Sequence, residues 1–450
     1  MAERSSSTTN LTAQEQRARL LQLLAKKELE TKLAPLSFSQ ERFWLEEQIN
    51  PGGINGLSLS VRITGQLNVA ALEQSFTEIV RRHEILRTTF VLVGDQPRQS
   101  IKSAQPLQTP IVSLEHLPAA EREAEARRTV RAELKRPFDI VHGPLFRATL
   151  LRLGTTDHVL ILMTQHLISD AWSLGNLIQE LSVLYEAFTK GCPSPLPPLP
   201  LQYAEFAQWQ REKLQDDVLE HEITYWVKQL SGSSGVLALP YDRPRPLKRT
   251  TLGARESVLL PLLLREQLKA LAQQEECTLF MVLLAGLQVL LYRYTGQANA
   301  NICTMIADRT INDVEKLIGL FLNTLVLRAD FEGNPAFVEV LRQVRWTTLE
   351  AYDHQTIPFQ RMLQALQTQL RFERASLFQV LFLWQNVPNP EIRLSDLTCQ
   401  RFVREMDFQS NMELSLSLVE TPEGLTGYLE YQTDLFDAPT IQRFLEHYQT

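Results

Sequence analysis

Residues 164–173 read TQHLISDAWS and place a histidine, an aspartate and two serines within one short stretch. A neutral imidazole accepts a proton at physiological pH, so His166 suits a general base or a group that positions a reacting amine. Asp170 has competing roles: it can orient the histidine, cap a following helix, or pair with a buried arginine. Spacing alone favours a structural aspartate. An H-x-x-x-D string by itself is weak, because a single histidine near a strand end is more often a satisfied core residue than a catalyst. The surrounding elements must therefore carry the argument.

Residues 146–153 and 158–163 have strand patterns joined by a turn at 154–157, and the second strand delivers His166. Strand alternation puts Gln165 and His166 on opposite faces, so one points to a cleft and the other to the core. Beyond them, residues 177–188 are apolar at helical spacing and stop at Gly191. Upstream, residues 69–82 form an apolar helical face that ends in Arg81, Arg82, His83 and Glu84. The proline-rich run 193–200 (PSPLPPLP) reads as a stiff connector between packed units. The second half repeats the mixture, with a helix over 279–294 closing at Gly296, strands at 301–306, 324–327, 414–419 and 427–431, and a helix after Asp437. The fold class is therefore α/β in two halves of similar size, with no direct sequence repeat between them. We divide the chain into a leader helix at 1–33, opened by a capping box at Thr12 and read as a possible docking segment, a first lobe at 34–200 and a second at 201–450.

Bulk properties exclude several partners. A net charge of -7, with lysines and arginines dispersed rather than clustered, argues against nucleic acid. The apolar stretches are shorter than the roughly 20 residues a membrane helix requires. No apolar run follows the polar first ten residues, so the reading is a cytoplasmic protein without a secretory signal. Cys192, Cys277, Cys303 and Cys399 are far apart, form no CxxC pair, and are expected to be buried free thiols; no bound metal is predicted.

Seven segments occur in one order: 36–44 (LSFSQERFW), 82–90 (RHEILRTTF), the His166 loop, 203–210 (YAEFAQWQ), 318–328 (IGLFLNTLVLR), 354–359 (HQTIPF) and 377–382 (LFQVLF). Together they make the chain, from about Leu36 onward, resemble the condensation domains of nonribosomal peptide synthetases. That resemblance implies two chloramphenicol-acetyltransferase-like lobes in a V-shaped pseudo-dimer with a central tunnel. Two peptidyl carrier proteins, upstream donor and downstream acceptor, would feed it from opposite faces on phosphopantetheine arms, with an adenylation domain adjoining. The domain itself would bind no cofactor, and a monomer is the default. The implied reaction is attack of the acceptor amine on the donor thioester.

The family motif is HHxxxDG. His166 matches its second histidine, the residue that carries or positions the chemistry. Asp170 matches the structural aspartate, and the resemblance assigns its arginine partner to Arg82, with Arg87 second. Gln165 stands at the first histidine, where a neutral amide can still make buried hydrogen bonds. Ala171 replaces the glycine, and its methyl group would narrow the acceptor approach or forbid a positive φ. The order Asp-Ala-Trp-Ser over 170–173 fits condensing members better than epimerising relatives, and heterocyclising ones carry an aspartate at the position of Gln165. Trp172, Ser173, Gly319 and Asn323 are assigned to the tunnel, Ser173 as a candidate donor to the tetrahedral intermediate, although a turn explains Gly319 and Asn323 equally well. Trp44, Phe90, Trp209 and Phe359 are expected in the core. The other readings are a specialised or impaired domain that recruits carrier proteins or tailoring enzymes, or modifies the donor, and an acyltransferase using diffusible acyl-CoA.

Overall fold

The computed structural model describes residues 31–49, 56–233, 236–246, 252–371, 379–385, 392–403, 408–409 and 412–450. The expected leader helix lies almost wholly outside these residues. The first half opens with β1 (Lys32–Pro35), α1 (Phe38–Ile49), β2 (Leu57–Thr64) and α2 (Val69–Arg82). Next come β3 (Thr88–Val93), β4 (Gln96–Ile101), β5 (Ile111–Ser113) and α3 (Ala119–Lys135). It closes with β6 (Phe146–Gly154), β7 (Asp157–Thr164) and α4 (Ala171–Thr189).

The second half follows as α5 (Tyr203–Lys213), α6 (Asp216–Leu230), β8 (Leu252–Pro261), α7 (Leu262–Gln274) and α8 (Leu279–Thr295). It continues with β9 (Asn299–Ala307), β10 (Leu322–Asp330), α9 (Phe337–Asp353), α10 (Phe359–Leu370) and β11 (Val380–Trp384). The last elements are β12 (Thr398–Arg401), β13 (Phe408–Gln409), β14 (Leu414–Thr421), β15 (Gly424–Gln432) and α11 (Ala438–Gln449).

β7 explains its own sequence. Leu160 and Leu162 face the core under α2 and α4, while Val159, Ile161 and Met163 face a second layer closed by Ala126 and Val130 of α3. A strand covered on both faces has no solvent side, so its apolar run is continuous rather than alternating. It lies in a five-stranded sheet of order β12-β2-β7-β6-β5. Gly56 passes directly beside the strand's end, where a Cβ would lie 2.1 Å from the Thr164 carbonyl oxygen. Only glycine lets the backbone approach that closely.

The second half builds a seven-stranded sheet, β10-β9-β11-β14-β15-β8-β13, and a small sheet β1-β4-β3 completes the strands. Its core centres on α8, capped by Thr278 at one end and by left-handed Gly296 (φ 66°) at the other. The two cores are not separated cleanly along the chain. Tyr203 and Phe206 of α5, then Val314, Leu317, Ile318 and Phe321, then Ile392 and Leu394, all pack in the first core. β12 reaches back to pair antiparallel with β2.

Two packing expectations are corrected. Phe90 and Phe359 are buried and Trp44 is partly buried, but Trp209 is 38% exposed, on the outer face of α5 beneath the Lys213 ammonium. All four cysteines are free, yet Cys192 is exposed. Among the described residues, no single helix is long and apolar enough to cross a membrane.

Candidate active site

His166 begins a single 3-10 turn (His166–Ile168) between β7 and α4. Gln165 sets that turn: its backbone N–H donates to the Leu145 carbonyl at 2.9 Å, and its buried side-chain Oε1 accepts from the Leu167 N–H. His166 as a residue is half-buried, with its Nδ1 inaccessible. On one side it meets Phe43 of α1, with ring centroids 5.5 Å apart and tilted by 35°. Burial lowers its pKa below the ordinary histidine value, with the Ser169 backbone and the charges of Asp170 and Glu46 acting the other way. At neutral pH the ring is therefore an uncharged base. Among the described residues, its Nδ1 has no hydrogen-bond partner.

α1 is the wall behind this turn. Its first turn is a reciprocal cap: the Ser37 N–H donates to Gln40 Oε1 at 3.0 Å and the Gln40 N–H to Ser37 Oγ at 3.1 Å. The same Gln40 uses Nε2 to hold the Leu167 carbonyl at 3.0 Å. Ser37 Oγ lies 2.8 Å from the Tyr203 hydroxyl, which donates to the Leu320 carbonyl at 2.6 Å. One hydrogen-bonded chain thus joins the histidine turn to residues 318–321, through side chains that burial leaves with no competing water.

Asp170 caps α4. Its Oδ1 accepts the Ser173 N–H at 2.7 Å and its Oδ2 accepts the Phe321 N–H at 2.9 Å. Its ion-pair partner is Arg309, whose Nη2 lies 3.3 Å from Oδ1. This corrects the assignment to Arg82 or Arg87. Arg82 instead binds Glu180 at 2.9 Å, a carboxylate it shares with His83, and Arg87 pairs with Glu84 at 3.6 Å. The Arg309 guanidinium also lies 4.0 Å from the Phe321 ring centroid and donates to the Leu317 carbonyl at 3.0 Å.

The residues assigned to the tunnel are largely committed elsewhere. Ser173 Oγ is buried, donates to the Gly319 carbonyl at 2.7 Å, and accepts from the Gly319 N–H at 3.0 Å and from Arg309 at 2.8 Å. Its single proton is spoken for, which removes it as a donor to a tetrahedral intermediate. Gly319 has no room for a side chain, since a Cβ would lie 2.0 Å from Tyr203 Cδ2. Asn323 spends its amide on the carbonyls of Gln355 and Ile357, both at 2.8 Å, and its oxygen on the N–H groups of Thr324 and Phe359. Trp172 Nε1 holds the Glu315 carbonyl at 2.9 Å. Ala171 is the exposed first residue of α4, and its helical backbone needs no positive φ.

Sequence reasoning missed Gln40, Phe43 and Arg309. The capping pattern Ser37-x-x-Gln40 was a readable signal for the first. A charged pair, Asp308 and Arg309, directly after an apolar strand was the sole hint of the last.

A condensation-domain family model matches residues 30–450. One of the linear gramicidin synthase proteins of Brevibacillus parabrevis is 44% identical over 416 residues, covering 92% of the chain. The chain spans only 8% of that relative's length. A solved complex of the X-domain and OxyB from teicoplanin biosynthesis contains a fold with TM-score 0.79 and 27% identity, covering 93% of each chain. The first condensation domain of the CDA synthetase superposes with TM-score 0.71 at 17% identity, covering 93% of this chain and 95% of that one, a likeness of fold alone. Open sheets flanked by helices in two lobes match the chloramphenicol-acetyltransferase-like architecture of these structures.

Proposed function

The chain belongs to the condensation-domain family, whose general activity is peptide-bond formation, and we propose that it is a working member acting on two carrier-bound thioesters. The observation that carries this reading is His166: an imidazole kept neutral by burial, braced by Phe43 and by the Gln165 turn, in a residue that is half-buried rather than sealed. A neutral imidazole is the form that accepts a proton or hydrogen-bonds an amine.

In this mechanism the acceptor amine attacks the donor thioester carbon. A carbon–nitrogen bond forms, the carbon–sulfur bond breaks, and the donor arm leaves as a thiol. The proton lost by nitrogen passes to His166, which returns it to the departing thiolate and so ends the step neutral. Holding both arms in one site supplies most of the acceleration, because effective concentration is worth several kcal/mol. Proton transfer by His166 adds about 10²- to 10⁴-fold. The carriers would be an upstream donor and a downstream acceptor in a larger assembly with an adjoining adenylation domain. The four free cysteines fit a reducing cytoplasm as its setting.

Gln165 and Ala171 support a second reading, a specialised domain that recruits partner proteins; the similar X-domain fold has been solved in complex with OxyB. Intact-protein mass spectrometry of a reconstituted reaction, with aminoacyl groups loaded on donor and acceptor carriers, separates the two. Product from the natural chain that disappears in His166→Ala supports condensation. Product only after Gln165→His marks an impaired enzyme, and carrier binding without product in either protein favours recruitment.

A further inference from the structure

Helix α6 supplies two neighbouring side chains, His221 and Glu222, and the end of α9 brings His354, more than 130 positions further along the chain, up against them. His354 Nδ1 lies 3.2 Å from Glu222 Oε2, and His221 Nδ1 lies 3.8 Å from Glu222 Oε1. All three ligand-capable atoms fall within 4.8 Å of one another. Among the described residues, no other group of three or more histidine, cysteine and carboxylate side chains brings its ligand atoms this close together.

Two of the three are held rigidly. The His354 ring is stacked on Tyr225 at 3.7 Å and 13°, and its carbonyl accepts from the fully buried Trp226 indole at 3.0 Å. Glu222 is buried against it, at 7% exposure. His221 is the exposed member, with its side chain 74% exposed. We propose that these residues form a binding site for a divalent transition metal, best suited to zinc, with water completing the coordination.

Two imidazoles and one carboxylate are a recurrent zinc donor set, one that leaves a fourth position for water. Bonds of about 2.0–2.1 Å in a tetrahedron separate neighbouring ligand atoms by roughly 3.3 Å. One such edge is in place, His354 Nδ1 to Glu222 Oε2 at 3.2 Å, while His221 Nδ1 lies 3.8 Å from the other carboxylate oxygen, Oε1, and must move to share an ion with Oε2. The His221 side chain is exposed and its ligand atom already lies within 4.8 Å of the other two, so it has open space in which to swing onto the ion. The ion would take the place of the proton shared between His354 Nδ1 and Glu222. The site is structural in kind: residues 355 and 357, directly after His354, supply the carbonyls that hold Asn323 at the start of β10, so the ion would clamp α6 to that loop.

Zinc chloride titrated into the full chain by calorimetry, with melting curves in parallel, tests the site. One equivalent should bind and raise the melting temperature. Affinity should fall at least tenfold in His221→Ala and in Glu222→Gln, and weaken as pH drops because the imidazoles ligate only when deprotonated. His221 is exposed, so His221→Ala keeps the zinc-free melting temperature and reports ligation rather than folding. Cobalt substituted for zinc should give the intense visible bands of a four-coordinate ion. Absence of stoichiometric binding, or binding and melting shifts unchanged in His221→Ala, would overturn the proposal.

Discussion

Arg309 and Asp170, 139 residues apart in the chain, form a buried ion pair of 3.3 Å at the point where the chain's second half crosses the entrance to α4. Their side chains are 3% and 1% exposed, so neither charge has water to fall back on. Removing one partner strands the other, at a typical cost of about 3–5 kcal/mol. Asp170→Asn and Arg309→Met should each lower the urea midpoint strongly, and the double variant should cost less than the sum. Arg82→Met should also destabilise, through Glu180, but additively with Asp170→Asn. Coupling of Asp170 to Arg82 instead would contradict the structure.

Gly319→Ala should destabilise the fold by at least roughly 1–3 kcal/mol, since the new methyl group must displace the Tyr203 ring. Thermal melting of the purified variant reads this directly, and a melting temperature equal to that of the natural chain would refute it.

Ser173→Ala should cost stability, about 1–3 kcal/mol for the stranded Gly319 and Arg309 partners, while sparing the rate per folded molecule. An oxyanion donor would behave in the opposite way, losing kcat with stability intact. Single-turnover condensation rates beside denaturation midpoints distinguish the two.

The depressed pKa of His166 has a definite sign. The unfolded chain binds a proton at this position more readily than the folded one, so the neutral histidine's contribution to stability is complete above the unfolded pKa of about 6.5 and is lost as pH falls toward the lower folded value. Relative to His166→Gln, the natural chain should lose stability across that window, as followed by melting at stepped pH. The acid limb of the condensation rate should likewise lie below pH 6.5.

Asp308 behaves oppositely. Burial pushes its carboxyl up to about 6, with Lys213 and Gln210 opposing the shift. Stability linked to the protonated acid is present below about pH 3.8 and is lost as pH rises through about 6. Asp308→Asn should therefore raise the melting temperature at pH 7.5 and change it little at pH 4. Equal effects at both values would argue against a perturbed carboxyl.

What the sequence discloses is what is local. The helix at 69–82 and the strands on either side of residue 155 are legible because their periodicity is written within a dozen residues. α4 begins at Ala171, six residues before its apolar stripe, because Asp170 caps it; the sequence allows that cap, yet the stripe alone starts the helix too late. Arg309 is not legible, because nothing near it in the chain records that Asp170 is its partner. Trp209 misleads for a related reason: its apolar neighbours in sequence turn inward on α5 while it turns out. Gly319 looks like a turn, but its constraint is the Tyr203 ring, a residue more than a hundred positions away.

β12 sets a timetable for synthesis. The other strands of its sheet are complete by Thr164, yet the edge beside β2 waits for residues 398–401. At about 5–20 residues per second, the ribosome needs roughly ten to fifty seconds to cover that gap. During that interval the nascent chain carries an open sheet edge beside β2, a template for pairing with another chain. Stalling between Thr164 and Thr398 should therefore leave the nascent chain more prone to aggregate than stalling after residue 401.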